Sequence, residues 1–245
     1  MQLSGDQVKL IQEVAKANRS TVVVLNNGSS LVMSDWLDQV PAVLECWYPG
    51  QECGNAIADV LFGDCDPSGR LTQTFPERLE DNPAFINYPG DNGQVRYGEG
   101  IFVGYRYYDK KRVEPLFPFG HGNSYTQFEY AEISLQEDHY SSPEDVECTV
   151  EVRNIGARRG TEVVQLYIRH LRPRLTRPEQ ELKDFAKITL DVGQSEVVRF
   201  NLAARSLAFY DPQQKEWLVE PGDYELRVGS SSRDIRATRQ FSLIG

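Results

Sequence analysis

A chain of 245 residues with 40% hydrophobic and 25% charged residues is long enough for two domains, each with its own core. Its formal net charge of -10 disfavours nucleic acid and anionic membrane as partners, and acts mainly to keep the surface soluble. No apolar run approaches the roughly 20 residues needed to cross a bilayer, and Met1 to Glu13 has neither a basic n-region nor an apolar h-region. Taken as complete, the chain is expected in the cytoplasm; a missing upstream signal would change that. Cys46, Cys53, Cys65 and Cys148 form no CxxC and have no histidine at a zinc spacing, so no metal site is expected. Cys46 and Cys53 could meet across the Tyr-Pro-Gly turn, but buried free thiols fit a reducing compartment better.

The first predicted element is a helix. Val8, Leu10, Ile11, Val14 and Ala15 recur at helical spacing, Ser4 can cap it with Gln7 three places on, and Asn18 ends it. Thr21 to Leu25 is a continuous β-branched run that predicts a strand covered on both faces in a parallel sheet, closed by Asn26, Asn27 and Gly28. Ala42-Val43-Leu44 is a second apolar run, and Gly54 to Phe62 predicts a second helix. Asp64 to Gly69 is turn chemistry, and Arg70 to Phe75 predicts a further strand. Strand and helix alternate, so this portion is α/β.

Val95 to Tyr130 is a seam. Ten aromatic side chains, among them Tyr97, Tyr105, Tyr108, Phe117 and Phe119, stand between glycines such as Gly98, Gly104, Gly120 and Gly122, which predicts a packed connection and no flexible linker. Beyond it the period becomes two. Val146 to Val152, Glu162 to Arg169, Phe185 to Leu190, Val197 to Leu202 and Tyr224 to Val228 read as strands separated by turns, which argues for an antiparallel sandwich. Arg172 to Gln180, with two prolines and three arginines, reads as a mobile loop.

Glu99 to Asp109 followed by Phe117 to Tyr125 resembles the hallmark of the C-terminal half of glycoside hydrolase family 3. The resemblance continues upstream through Tyr48-Pro49-Gly50-Gln51-Glu52, Gly54 to Asp64, Pro67 to Leu71 and Thr74-Phe75-Pro76. Downstream it takes in Glu162 to Tyr167, Pro221-Gly222 and Val228 to Ser231. Asn123 departs from it, standing where the family usually has Leu. The resemblance implies that residues 1–110 are the C-terminal portion of the family's α/β sandwich domain, that 111–124 are a junction, and that 125–245 are a fibronectin type III-like domain.

A retaining glycosidase needs two carboxyl groups about 5 Å apart, one a nucleophile and one a protonated acid. In the resembled family the nucleophilic aspartate lies on a (β/α)8 barrel in a Ser-Asp-Trp-like context. The acid/base glutamate of its β-glucosidase branch lies shortly before the segment that corresponds to Leu3 to Gln7, so both carboxylates are expected to be missing here. Ser34-Asp35-Trp36 matches the nucleophile motif only in isolation. Its neighbours align with a non-catalytic segment, and a helix-capping role is expected for Asp35. Glu52 and Glu99 are expected to serve the helix dipole and hydroxyl or arginine hydrogen bonds, Arg106 to pair with a carboxylate, and His121 to be packed or solvated in a turn. No residue is assigned as catalytic, cofactor-binding or metal-ligating.

The expected function is therefore that of the C-terminal fragment of a retaining β-glucosidase-like hydrolase, inactive alone and without cofactor. A β-glucoside or oligosaccharide would be its substrate only in the context of the barrel. The truncated α/β portion is expected to self-associate. The alternative is a non-catalytic carbohydrate- or protein-binding module, whose mark would be exposed stacking aromatics; Trp36, Trp47 and Trp217 are each expected to pack in a core instead.

Overall fold

The computed structural model describes residues 1–143 and 146–244, which form two compact units: residues 1–65 with 72–119, and residues 66–71 with the chain from Gly120 onward. Among the described residues no helix is long and apolar enough to cross a membrane.

In the first unit, helix α1 spans Gln7–Ala17 and ends at Asn18, whose N–H donates to the Val14 carbonyl. Half of the expected capping box is made: the Ser4 N–H donates to Oε1 of Gln7 at 3.2 Å, while the N-cap position is Asp6, whose side chain makes no cap bond. Strands β1 (Val22–Leu25) and β2 (Ala42–Glu45) pair in parallel, in register from Val22 opposite Ala42 to Leu25 opposite Glu45. The expected burial on both faces is not found. Val23 and Leu25 are buried and Val22 is exposed, because among the described residues this sheet has two strands.

Helix α2 (Cys53–Phe62) stops at Gly63, whose left-handed φ of 81° is open to a residue without Cβ. None of its residues is buried, and Leu61 and Phe62 stand exposed. The same is true of Leu10 and Val14 on α1, so both helices leave apolar surface bare. The unit's small core holds Met33, Trp36, Phe75, Tyr105 and Tyr108. The last two lie one turn apart on helix α3 (Tyr105–Lys111), an element that the run of tyrosines, modest helix formers, does not announce. Packing decides it: Tyr105 stacks on Phe119 with ring centroids 4.9 Å apart.

The stretch Arg70 to Phe75, predicted as one strand, is divided between the units. Leu71 exchanges backbone hydrogen bonds with the turn at Gly120 and His121 in the second unit. Phe75 bridges Phe117 in the first.

The second unit is a sandwich. One sheet runs in the order β5 (His139–Tyr140), β13 (Ile235–Leu243), β12 (Gly222–Gly229), β7 (Gly160–His170), β8 (Glu181–Leu190). In the other, β6 (Glu147–Asn154) pairs with β3 (Phe128–Tyr130), β4 (Ser134–Leu135) and β9 (Ser195–Asn201). Alternate residues of both sheets, including Val150, Val152, Phe200, Leu166, Ile168 and Leu226, meet in one buried core. Each fully buried side chain of this kind contributes about 1.5–3 kcal/mol relative to exposure. Between β9 and β12 lie the short helix α4 (Ala204–Leu207) and a hairpin of β10 (Phe209–Asp211) and β11 (Glu216–Leu218).

The Arg172 to Gln180 segment, expected to be mobile, is pinned at several points. Arg172 pairs with Asp223 at 2.6 Å and Arg174 with Asp211 at 2.7 Å, and Gln180 donates to the Ser232 carbonyl at 2.7 Å. Arg177 is buried, bonding the Leu207 carbonyl and Glu181. Composition reads polar, but Arg172, Arg174 and Gln180 have partners supplied from distant sequence.

Candidate functional site

In open α/β sheets ligands bind beyond the carboxyl ends of the strands, so the first place to look is where β1 and β2 end. There the Cys46 N–H donates to the Leu25 carbonyl at 2.9 Å, and Glu45 accepts the Trp47 N–H at 2.9 Å. Trp47 adopts a left-handed φ of 49°, a conformation that costs a residue with Cβ about 1–2 kcal/mol. That hydrogen bond and the packing of the indole on Phe75, centroids 5.9 Å apart, hold it there. Gly28 lies directly against the Tyr48 ring, where any Cβ would collide with the phenol oxygen.

Burial raises the Glu45 carboxyl above its ordinary 4.5, against the opposing pull of the Trp47 N–H and the nearby Asn27 amide. Its Oε2 and both amide atoms of Asn27 are enclosed without a hydrogen bond of ordinary geometry. The thiol of neighbouring Cys46 is raised by burial, by Glu45 and by Cys53; all four cysteines are free. This edge offers polar atoms that a ligand hydroxyl could satisfy, but one carboxyl. The Cys46 N–H also pulls the Glu45 carboxyl down.

The motif residues of the second unit build a different kind of centre. The Asp66 carboxylate accepts from the Ser124 hydroxyl at 2.9 Å, the Tyr125 N–H at 2.8 Å and the Thr161 N–H at 2.9 Å. Arg70 donates to Glu162 at 2.6 Å, and Glu162 also accepts the Val163 N–H at 2.7 Å. Gln165 donates to the carbonyls of Gly120 at 3.1 Å and Ser230 at 2.5 Å, while its own oxygen accepts the Tyr167 hydroxyl at 2.6 Å. Gly122 is required by close approach, since a Cβ would fall 2.6 Å from the Gly69 carbonyl oxygen. His121 sits beside this centre; burial and the Arg70 charge lower its pKa from 6.5, with Asp234 opposing. These charges are consumed in pairs and caps, which is what holds a fold together. A groove of about 410 Å³ nearby is flanked by Arg236 and Arg239, each already paired, with Asp234 and Asp138 respectively, at 2.6 Å.

Residues 1–125 match the family model described as glycosyl hydrolase family 3 C-terminal domain. The chain belongs to glycoside hydrolase family 3. Residues 162–232 match the fibronectin type III-like domain model. The chain is 48% identical over 235 residues to thermostable beta-glucosidase B of Acetivibrio thermocellus, covering 96% of this chain and 31% of that protein. It is similar to the crystal structure of the Kluyveromyces marxianus beta-glucosidase in complex with glucose, with a TM-score of 0.94 and 40% identity, covering 100% of this chain and 29% of that one. It is also 38% identical over 245 residues to an exo-alpha-(1->6)-L-arabinopyranosidase of Bifidobacterium longum, covering 100% of this chain and 32% of that protein. The chain thus spans about a third of the length of the relatives it matches, as the C-terminal portion of family 3 enzymes. Its described residues contain no (β/α)8 barrel.

Within this family 3 portion the residues singled out by sequence fall apart by role. Asp35 is exposed and, against expectation, caps no helix; its backbone carbonyl accepts the Gln12 and Gln39 amides, and the following Trp36 is buried. Glu52 precedes α2 and accepts the Asn55 amide at 2.6 Å. Glu99 and Arg106 belong to the first unit and His121 to the second. One Glu99 oxygen is buried without a hydrogen bond, and the Arg106 guanidinium lies 5.9 Å from the Tyr105 ring centroid. Two groups were missed: Asp66, read only as turn chemistry, and Glu45, which ends an apolar run and carried no signal. Trp36 is buried as expected and Trp47 packs on Phe75, but Trp217 stands half in solvent.

Proposed function

We propose that these residues serve as the C-terminal, non-catalytic portion of a retaining β-glucosidase-like hydrolase, bracing a catalytic barrel that supplies the chemistry. The observation that carries this reading is coverage: nearly the whole chain matches, yet it accounts for only 31% of the Acetivibrio thermocellus β-glucosidase. The exposed Leu10, Val14, Val22, Leu61 and Phe62 of the first unit support it, because apolar surface of this kind needs a partner. Hydrolysis would proceed by double displacement through a glycosyl-enzyme, on carboxylates outside these residues. The same portion occurs in a relative named for arabinopyranoside cleavage, so the sugar would be chosen elsewhere.

The test is a chimera. The Acetivibrio thermocellus enzyme, cut where its similarity to this chain begins, is joined to these 245 residues, and hydrolysis of 4-nitrophenyl β-D-glucoside is followed. Activity in the chimera, with none in either part alone, is the expected result. A folded, monodisperse chimera without activity would overturn the reading.

A further inference from the structure

The hairpin β10–β11 carries an aromatic ledge that packing does not explain. Tyr210 and Trp217 stand directly opposite each other in its register and therefore on one face, with ring centroids 5.6 Å apart and planes at 58°. Tyr210 is 47% exposed and Trp217 50%. The Arg205 guanidinium from α4 lies over the indole, 3.2 Å from its centroid.

The opposite face of the same hairpin is built to be rigid. Asp211 is 1% exposed and paired with Arg174 at 2.7 Å, and its other oxygen caps the turn by accepting the Gln213 and Gln214 N–H groups at 2.8 and 3.3 Å. Phe209 is buried beneath Arg174 and Arg177, whose guanidinium carbons lie 5.7 Å from its ring centroid. An anchored inner face and a half-bare outer one mean that the two rings and the guanidinium are held in place before anything binds, which lowers the ordering cost of binding.

We propose that Tyr210, Trp217 and Arg205 form a surface site for a β-glucan chain, separate from any catalytic centre. A pyranose ring presents a C–H face that packs on a flat aromatic surface and a rim of hydroxyls. The guanidinium N–H groups and the Tyr210 hydroxyl supply hydrogen-bond partners for that rim. An acidic partner peptide fits less well, because the exposed ring pair offers mainly aromatic surface and the chain as a whole carries a net charge of -10. That the glycan is β-linked glucan rests on the function proposed above; the stacking site itself does not.

Affinity electrophoresis of the full chain through gels containing barley β-glucan, starch or no polymer tests this. The β-glucan gel is expected to retard the chain. Trp217→Ala and Tyr210→Ala are each expected to weaken binding about three- to tenfold, whereas Trp217→Phe, which keeps a ring, stays near the parent. Thermal melts of each variant separate lost binding from lost folding, and quenching of the exposed Trp217 by cellopentaose gives a second readout on the unmutated chain. No retardation and no quenching, or retardation unchanged in both alanine variants, would overturn the site. Retardation by starch alone that both alanine variants abolish would uphold the ledge and overturn its β-glucan specificity. Concentration-dependent dimerisation lost in Trp217→Ala would show a second copy as the occupant and overturn the proposal.

Discussion

Arg70 and Glu162 meet at 2.6 Å although 92 residues separate them, with side chains only 7% and 6% exposed. Arg70 comes from a stretch that reads as part of the α/β portion, yet it belongs to the sandwich unit. Removing one partner of such a pair leaves a buried charge uncompensated, so Arg70→Ala or Glu162→Ala is expected to cost the sandwich about 3–5 kcal/mol, while a double replacement by apolar residues costs much less. Urea titration of the three variants checks this. A chain cut to residues 122–245 lacks Arg70 and Asp66 altogether, and is expected to melt below the sandwich of the full chain.

Acid should weaken the sandwich in two steps. His170 packs against Tyr224 with centroids 4.5 Å apart, and burial lowers its pKa from 6.5, with Glu220 opposing and Arg177 adding to the effect. His121 is shifted the same way. An imidazole whose folded pKa is depressed takes up its proton more readily in the unfolded chain. Stability is then complete above about 6.5 and declines as pH falls towards the folded value. Asp211, held down by Arg174, Asp223, held down by Ser242 and Arg172, and Asp234, held down by Arg236, add a second loss only below their ordinary 3.8. Urea midpoints between pH 7.5 and 3 are expected to show both limbs, and His170→Gln to shrink the first.

Trypsin should spare the arginine-rich segment. Arg172 and Arg177 precede prolines, which block cleavage, and Arg174 is tied to Asp211 and Glu220. Arg96 lies in a continuous exposed stretch, so the first cut is expected after it. Mass spectrometry of early fragments decides; a first cut at Arg174 would mean that its ion pairs do not hold the backbone.

What the sequence revealed and what it hid follow from how each element is stabilised. β6 was legible because Cys148, Val150 and Val152 alternate inward along its own length. β13 was not: Arg236, Thr238, Arg239 and Gln240 mask it, and only Phe241 and Leu243 are buried, so its place comes from pairing with β12. Helix α3 likewise owes its existence to what Tyr105 and Tyr108 touch. At the candidate site the half-exposed Trp217 could not be distinguished from a core tryptophan, since its apolar flank Leu218-Val219 looks the same either way.

The bare apolar residues of α1, β1 and α2 predict association. Size-exclusion chromatography with light scattering is expected to show the full chain forming oligomers as concentration rises, and Leu10→Lys with Phe62→Lys to shift it towards monomer.

The most direct measurement is the hydrolysis of 4-nitrophenyl β-D-glucoside by the purified 245-residue chain, freed of host glycosidase. With Glu45 half-buried, Asp35 exposed and no (β/α)8 barrel among the described residues, no turnover above buffer is expected. Turnover that disappears in Asp35→Ala or Glu45→Ala would contradict the conclusion that the chemistry lies outside this chain.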